Sequence, residues 1–119
     1  MKKALPSIVE STINRCLPLG DVRARAMFGG YGLYIEDVMF GLEADNLLYL
    51  KADKETEQHF IDAHCTPFTY QGKTAPVKMS YWTVPSVAAD NQKEYLIWIE
   101  RAVAAGKRAR QKRPKKTKG

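Results

Sequence analysis

Residues 27–40 read MFGGYGLYIEDVMF, three glycines within four positions set among four aromatic rings. Glycines so clustered either cradle a phosphate with bare backbone or let a sheet turn and a neighbour approach. A phosphate loop needs a strand, then the glycines, then a helix whose free N–H groups meet the anion. Here the glycines run into LYIEDVMF, which alternates as a strand does, and neither GxGxxG nor GxxxxGK[ST] occurs. The stretch belongs to a sheet.

Outward from it, a period of two extends from Arg25 to Lys51 and predicts three strands. A two-residue turn at Glu36-Asp37 would pair Ile35 with Val38, Leu33 with Phe40 and Gly32 with Gly41. The next connection, near Asp45-Asn46, must then hold an odd number of residues, because only an odd count returns Leu48 and Leu50 to the face of Phe40 and Leu42. A three-residue loop with Asn46 left-handed satisfies that parity.

Before these strands, Leu5, Ile8, Val9, Thr12, Ile13, Cys16 and Leu17 recur at helical spacing, and PLGD (18–21) ends the run. After them, Asp53 caps a short helix over 54–64 with Phe60 and Ile61 inward, and Pro67 ends it. FTYQG and VKMSYWTV are two further strands around Gly72. The last helix opens on a capping box, Asn91-x-x-Glu94, and carries Tyr95, Leu96, Trp98, Ile99, Ala102 and Val103 on one stripe. Gly106 marks its expected end. The order α-β(3)-α-β(2)-α predicts a two-layer α+β sandwich, its antiparallel sheet covered on one face by helices.

That arrangement leaves the other face bare. By the expected register it carries Phe28, Gly30, Gly32, Tyr34, Met39, Gly41, Tyr49 and Trp82, with a slot at the opposed pair Gly32 and Gly41. The glycines either curve the sheet, with aromatics filling the gaps, or open a recognition and self-association surface. The eight residues are the candidate partner-binding set.

The charge is unevenly placed. Of 19 basic residues eight lie in KRARQKRPKKTK (107–118), so the first 106 residues hold 11 against 13 acidic ones, net −2. Attraction to polyanions therefore belongs to the tail: Lys107, Arg108, Arg110, Lys112, Arg113, Lys115, Lys116 and Lys118 are the nucleic-acid candidates. No aromatic residue is interleaved there, which argues against base stacking. The division expected is a domain over 1–106 and a disordered basic tail over 107–119.

No catalytic constellation is legible. Cys16 and Cys65 lack CxxC spacing and are expected as reduced thiols; Ser80 sits in KMSYW and not in a GxSxG elbow; His59 and His64 are five apart, unlike HExxH. No catalytic residue, metal or cofactor is expected. The amino terminus has no signal-like apolar stretch, and no apolar run reaches membrane-spanning length, so a cytoplasmic protein without a membrane partner is expected.

The block RAMFGGYGLYIEDVMFGLEADNLLYLKAD, followed by PFTYQGK, KMSYWTVP and WIERAVAAGKRA, resembles the N-terminal domain of the TfoX/Sxy competence-regulator family over most of residues 5–110. Met27 to Gly32 and Met79 to Trp82 carry its most distinctive motifs. The resemblance implies a secretion-chaperone-like two-layer fold and an association with natural competence genes, where a family member is a transcriptional coactivator alongside the cyclic-AMP receptor protein. Longer competence regulators carry a second, C-terminal domain; this sequence ends in the basic tail instead. The expected function is a non-enzymatic adaptor, a transcriptional coregulator acting by protein–protein contacts, with transcription machinery or an activator as partner. Alternatives are a nucleic-acid-binding protein using the tail, with weak DNA contact, and a small-ligand binder at the glycine-rich face. A homodimer through that face is also an expected partner state.

Overall fold

The computed structural model describes residues 5–27, 29–71 and 76–112. Helix α1 (Ser7–Arg15) precedes four strands, β1 (Val22–Met27), β2 (Gly30–Ile35), β3 (Val38–Ala44) and β4 (Leu47–Lys51). Helix α2 (Glu57–Asp62), strands β5 (Pro67–Gln71) and β6 (Pro76–Thr83), a one-turn α3 (Ser86–Ala89) and the long α4 (Gln92–Lys112) follow. The strands form one antiparallel sheet in the order β1-β2-β3-β4-β6-β5. The α+β class is as the alternation implies. The strand count differs: four strands precede α2, because Val22 to Met27 alternate with alanines and arginines and give little hydrophobic signal.

The glycine question resolves at the β1–β2 connection. Met27 pairs with Gly30, and Gly29 between them has φ +78°, a left-handed turn position. A Cβ on Gly30 would fall inside the carbonyl oxygen of Glu43, so only glycine lets β2 come this close to β3. No helix follows Gly32; the strand continues to Ile35.

Glu36 and Asp37 form the two-residue turn expected, with φ +51° and +64° and Ile35 facing Val38. The register then departs from expectation. Tyr34 faces Met39 but Leu33 faces Gly41, so Phe40 is the extra residue of a β-bulge. Gly32 consequently faces Leu42, and the opposed glycine pair does not exist. The β3–β4 connection is a two-residue turn as well, Asp45-Asn46, with φ +53° and +62° and Ala44 facing Leu47. One extra residue is present, but it sits in the strand at Phe40 and not in the loop, leaving a turn that Asp and Asn tolerate. Leu42, expected on the face of Leu48 and Leu50, instead faces Gly32 and Tyr49 on the other side.

Helices α1, α2, α3 and α4 each contribute to a single core cluster. Val9 and Cys16 enter it with α1, Phe60 with α2, Ala88 with α3, and Trp98, Ile99 and Ala102 with α4, against Leu33, Phe40, Leu50 and Trp82 of the sheet. Phe60 stacks on Trp82 with centroids 6.2 Å apart and meets Trp98 edge-on at 5.0 Å. Full burial of each such side chain contributes about 1.5–3 kcal/mol. Ile61, expected inward beside Phe60, is 46% exposed.

Local signals position the helices. Asp53 and Thr56 cap each other: Asp53 N–H donates to Thr56 Oγ1 at 3.0 Å, and Thr56 N–H donates to Asp53 Oδ1 at 3.2 Å. Asn91 Oδ1 accepts from Glu94 N–H at 3.0 Å, as its capping signature predicts. Asn46 Oδ1 accepts from Ile8 N–H at 3.1 Å, so the β3–β4 turn satisfies a free donor in the first turn of α1. Arg15, at the other end of α1, donates to the Ala89 carbonyl at 2.9 Å and lies 3.7 Å above the Tyr95 ring, joining α1, α3 and α4.

The end expected at Gly106 is not where α4 stops. The helix runs on to Lys112, so the boundary drawn at 106 falls inside it and residues 107–112 are helical, not a disordered tail. A Cβ at Gly106 would lie 2.6 Å from Val38 Cγ1 and 2.8 Å from the Met39 carbonyl oxygen. Glycine is used here so that α4 can lie against β3, not to end it.

Candidate functional site

The face turned away from the core cluster is set by cross-strand pairing, since opposed residues share a face. Arg25, Gly32, Leu42, Tyr49 and Thr83 form one row across it, and Arg23, Tyr34 and Met39 the next, alongside the Lys51–Tyr81 pair. Tyr34, Met39 and Tyr49, three of the candidates, stand here half-buried. Gly32 is not an open slot. The ends of the Met27 and Met39 side chains lie about where its Cβ would be, 2.9–3.1 Å away, and Leu42 beside it is buried. Methionine, unbranched and polarisable, fills such a gap well.

Two candidates lie elsewhere. Trp82 faces Leu50 and is a core residue, 5% exposed, stacked on Phe60. Gly41 shares the core face with Leu33 and Leu50 because the bulge at Phe40 shifted it. Gly30 lies buried against the Glu43 carbonyl, and Phe28 lies outside the described residues. In place of these the structure brings forward Met27, Leu42 and Phe68, whose ring meets Tyr49 edge-on at 5.0 Å, and Arg25, whose guanidinium lies 5.9 Å from the Tyr34 ring. The alternation of arginines in VRARAM is the sequence signal that could have placed Arg23 and Arg25 here.

The basic residues are partly spoken for. Arg108 donates to Asp53 at 2.6 and 3.1 Å and lies 3.3 Å from Glu55. That contact holds the Asp53 carboxyl down at about 2 and raises the Arg108 guanidinium. Lys107 approaches Glu36 at 4.0 Å, a largely exposed pair, and Arg110 donates to the Asp37 carbonyl at 3.5 Å. Lys112 is in α4; Arg113, Lys115, Lys116 and Lys118 lie outside the described residues.

Both cysteines are free thiols. Burial pushes Cys16 up to about 11, against the lowering effects of a hydrogen bond with Tyr95 and the nearby Arg15 charge, and burial likewise raises Cys65. Ser80 Oγ accepts from Lys51 Nζ at 3.2 Å. His59 meets Trp98 edge-on at 6.3 Å, and His64 has φ +62° just past α2. Among the described residues no three His, Cys, Asp or Glu side chains are grouped as a metal site would require, and no helix is long and apolar enough to cross a membrane.

Residues 14–106 match the model of the TfoX N-terminal domain. The chain belongs to that family. DNA transformation protein TfoX1 of Aliivibrio fischeri is 31% identical over 94 residues, covering 79% of this chain and 45% of the relative. Protein Sxy of Escherichia coli is 30% identical over 74 residues, 62% of this chain and 35% of the relative. The chain thus spans less than half the length of both curated relatives. In this TfoX N-terminal domain Gly29 serves the β1–β2 turn and Gly30 the close β2–β3 approach, and Trp82 of MSYW is a core ring. Those residues serve the fold, whereas Tyr34, Met39 and Tyr49 stand half-buried on the helix-free face.

Proposed function

We propose that this protein is a non-enzymatic regulatory adaptor of the cytoplasm, a transcriptional coregulator that docks a protein of the transcription machinery on its helix-free sheet face. The observation that carries this reading is the half-buried set Tyr34, Met39 and Tyr49, spread over two neighbouring rows on the side the helices do not cover. Rigid aromatic and methionine side chains with arginines beside them are the groups enriched at protein interfaces. Kinship with a DNA transformation protein supports a role in regulating competence. The basic end supplies weak, salt-sensitive attraction to DNA, although Arg108 is held by Asp53.

Capture of RNA polymerase or a receptor-type activator from purified components tests it. The Tyr34→Ser/Tyr49→Ser double variant should capture at least about tenfold less, as loss of interface hot spots implies. Leu17→Ser, on exposed helix-side surface, should leave capture unchanged. Equal capture by the double variant and the native chain would remove the sheet face from the proposal.

A further inference from the structure

We propose that the rim where the end of α4 meets the helix-free face binds a small phosphate-bearing organic anion. A cavity of about 480 Å³ opens there, within the size range of ordinary ligand sites, about 300–1,000 Å³. Four strands and one helix meet around it: Tyr34, Lys51 and Tyr81 come from the sheet and Arg110 from α4, with Met39 and Ala109 as an apolar floor.

The donors are arranged for an anion. Among the described residues the Lys51 ammonium has neutral neighbours: it donates to Ser80 Oγ at 3.2 Å and lies 5.2 Å from the Tyr81 ring centre. Among the described residues no carboxylate comes within ion-pair distance of it. Burial disfavours its charge and lowers its pKa, which the Asp53 charge offsets only in part. Arg110 has the Asp37 carbonyl at 3.5 Å as its hydrogen-bond partner among the described residues. Tyr81 is buried, and that burial first, with Tyr34 nearby second, pushes its phenol up to about 12. It therefore stays a donor across physiological pH.

Asp37 is the one acidic residue among those lining the cavity. Two basic residues against one acidic residue leave a formal net charge of +1, which suits an anion. Donors spread over separate elements suit the several oxygens of a tetrahedral phosphate better than the two coplanar oxygens of a carboxylate, and Met39 and Ala109 offer a surface for an apolar ester group.

Titration of the full chain with inorganic phosphate, phenyl phosphate, benzoate and sodium chloride, followed by amide NMR shifts and calorimetry, tests this. Phenyl phosphate should give saturable shifts at the Gly106, Ala109 and Tyr81 amides and bind more tightly than inorganic phosphate. Lys51→Met and Tyr81→Phe should each weaken it about tenfold, the usual effect of losing a hydrogen bond to a charged group, while Lys93→Met at the far end of α4 changes nothing. If Lys51→Met fails to fold, Arg110→Gln should show the same loss. Shifts that sodium chloride reproduces at equal ionic strength, undiminished binding by a folded Lys51→Met or Arg110→Gln, or benzoate binding as tightly as phenyl phosphate would each overturn the assignment.

Discussion

Arg108 donates from Nε to Oδ2 of Asp53 at 2.6 Å and from Nη2 to Oδ1 at 3.1 Å, while Oδ1 also accepts the N–H groups of Glu55 and Thr56. One carboxylate thus caps the turn into α2 and anchors the end of α4. Its pKa falls to about 2 from an ordinary 3.8, chiefly through the Arg108 hydrogen bond. A carboxyl whose pKa is lower folded than unfolded contributes stability above the unfolded pKa and loses it as pH falls through the folded one. Asp53→Asn should therefore cost about 1–2 kcal/mol at pH 7, partial exposure reducing the full linkage value. The gap from the native chain should close between about pH 4 and pH 2. Urea melts across that range check this; a gap independent of pH would refute it.

Gly106 opposes propensity to packing. Alanine in a helix interior usually gains about 1 kcal/mol over glycine. At Gly106 the added methyl would meet Val38 Cγ1 at 2.6 Å and the Met39 carbonyl at 2.8 Å. Gly106→Ala is expected to be net destabilising by about 1–3 kcal/mol, read as a lower denaturation midpoint. A more stable Gly106→Ala would mean that α4 is free to lift off β3.

Asn46 has two jobs that substitutions separate. It adopts φ +62° in the β3–β4 turn, and its side chain accepts from Ile8 N–H. Asn46→Ala should lose both, at about 1–3 kcal/mol. Asn46→Gly should restore the turn but not the cap and recover part of that loss. Thermal melts of the two variants decide it, and equal losses would assign the whole effect to the cap.

The thiols should differ in reactivity. Cys16 is fully buried and its thiol is pushed to about 11, whereas Cys65 is half-buried. Only the thiolate reacts readily. Iodoacetamide at pH 8 followed by peptide mass spectrometry should modify Cys65 first, with Cys16 labelled at a comparable rate only in denaturant. Rapid native labelling of Cys16 would show that α1 opens from the core.

Much of this fold is determined by local sequence. Period-two alternation from Tyr31 to Leu50, the turn at Glu36-Asp37, the caps at Asp53 and Asn91 and the stripe of α4 are short-range signals, each with a physical cause within a few residues. They sufficed for the α+β class, the antiparallel sheet and the sheet role of the glycines. Parity alone even required one extra residue between β2 and β4. Tertiary structure decided where it went: a bulge at Phe40 keeps that ring in the core and leaves Asp45 and Asn46 in a tight turn. It also decided the face of Trp82, because the β4–β6 register joins segments some thirty residues apart, and Tyr81 and Trp82 are both plausible inward residues until Leu50 selects one. Gly106 shows the same division. Its residue type marks a helix end by propensity, and only the nearness of β3 reveals it as the point where α4 and the sheet touch.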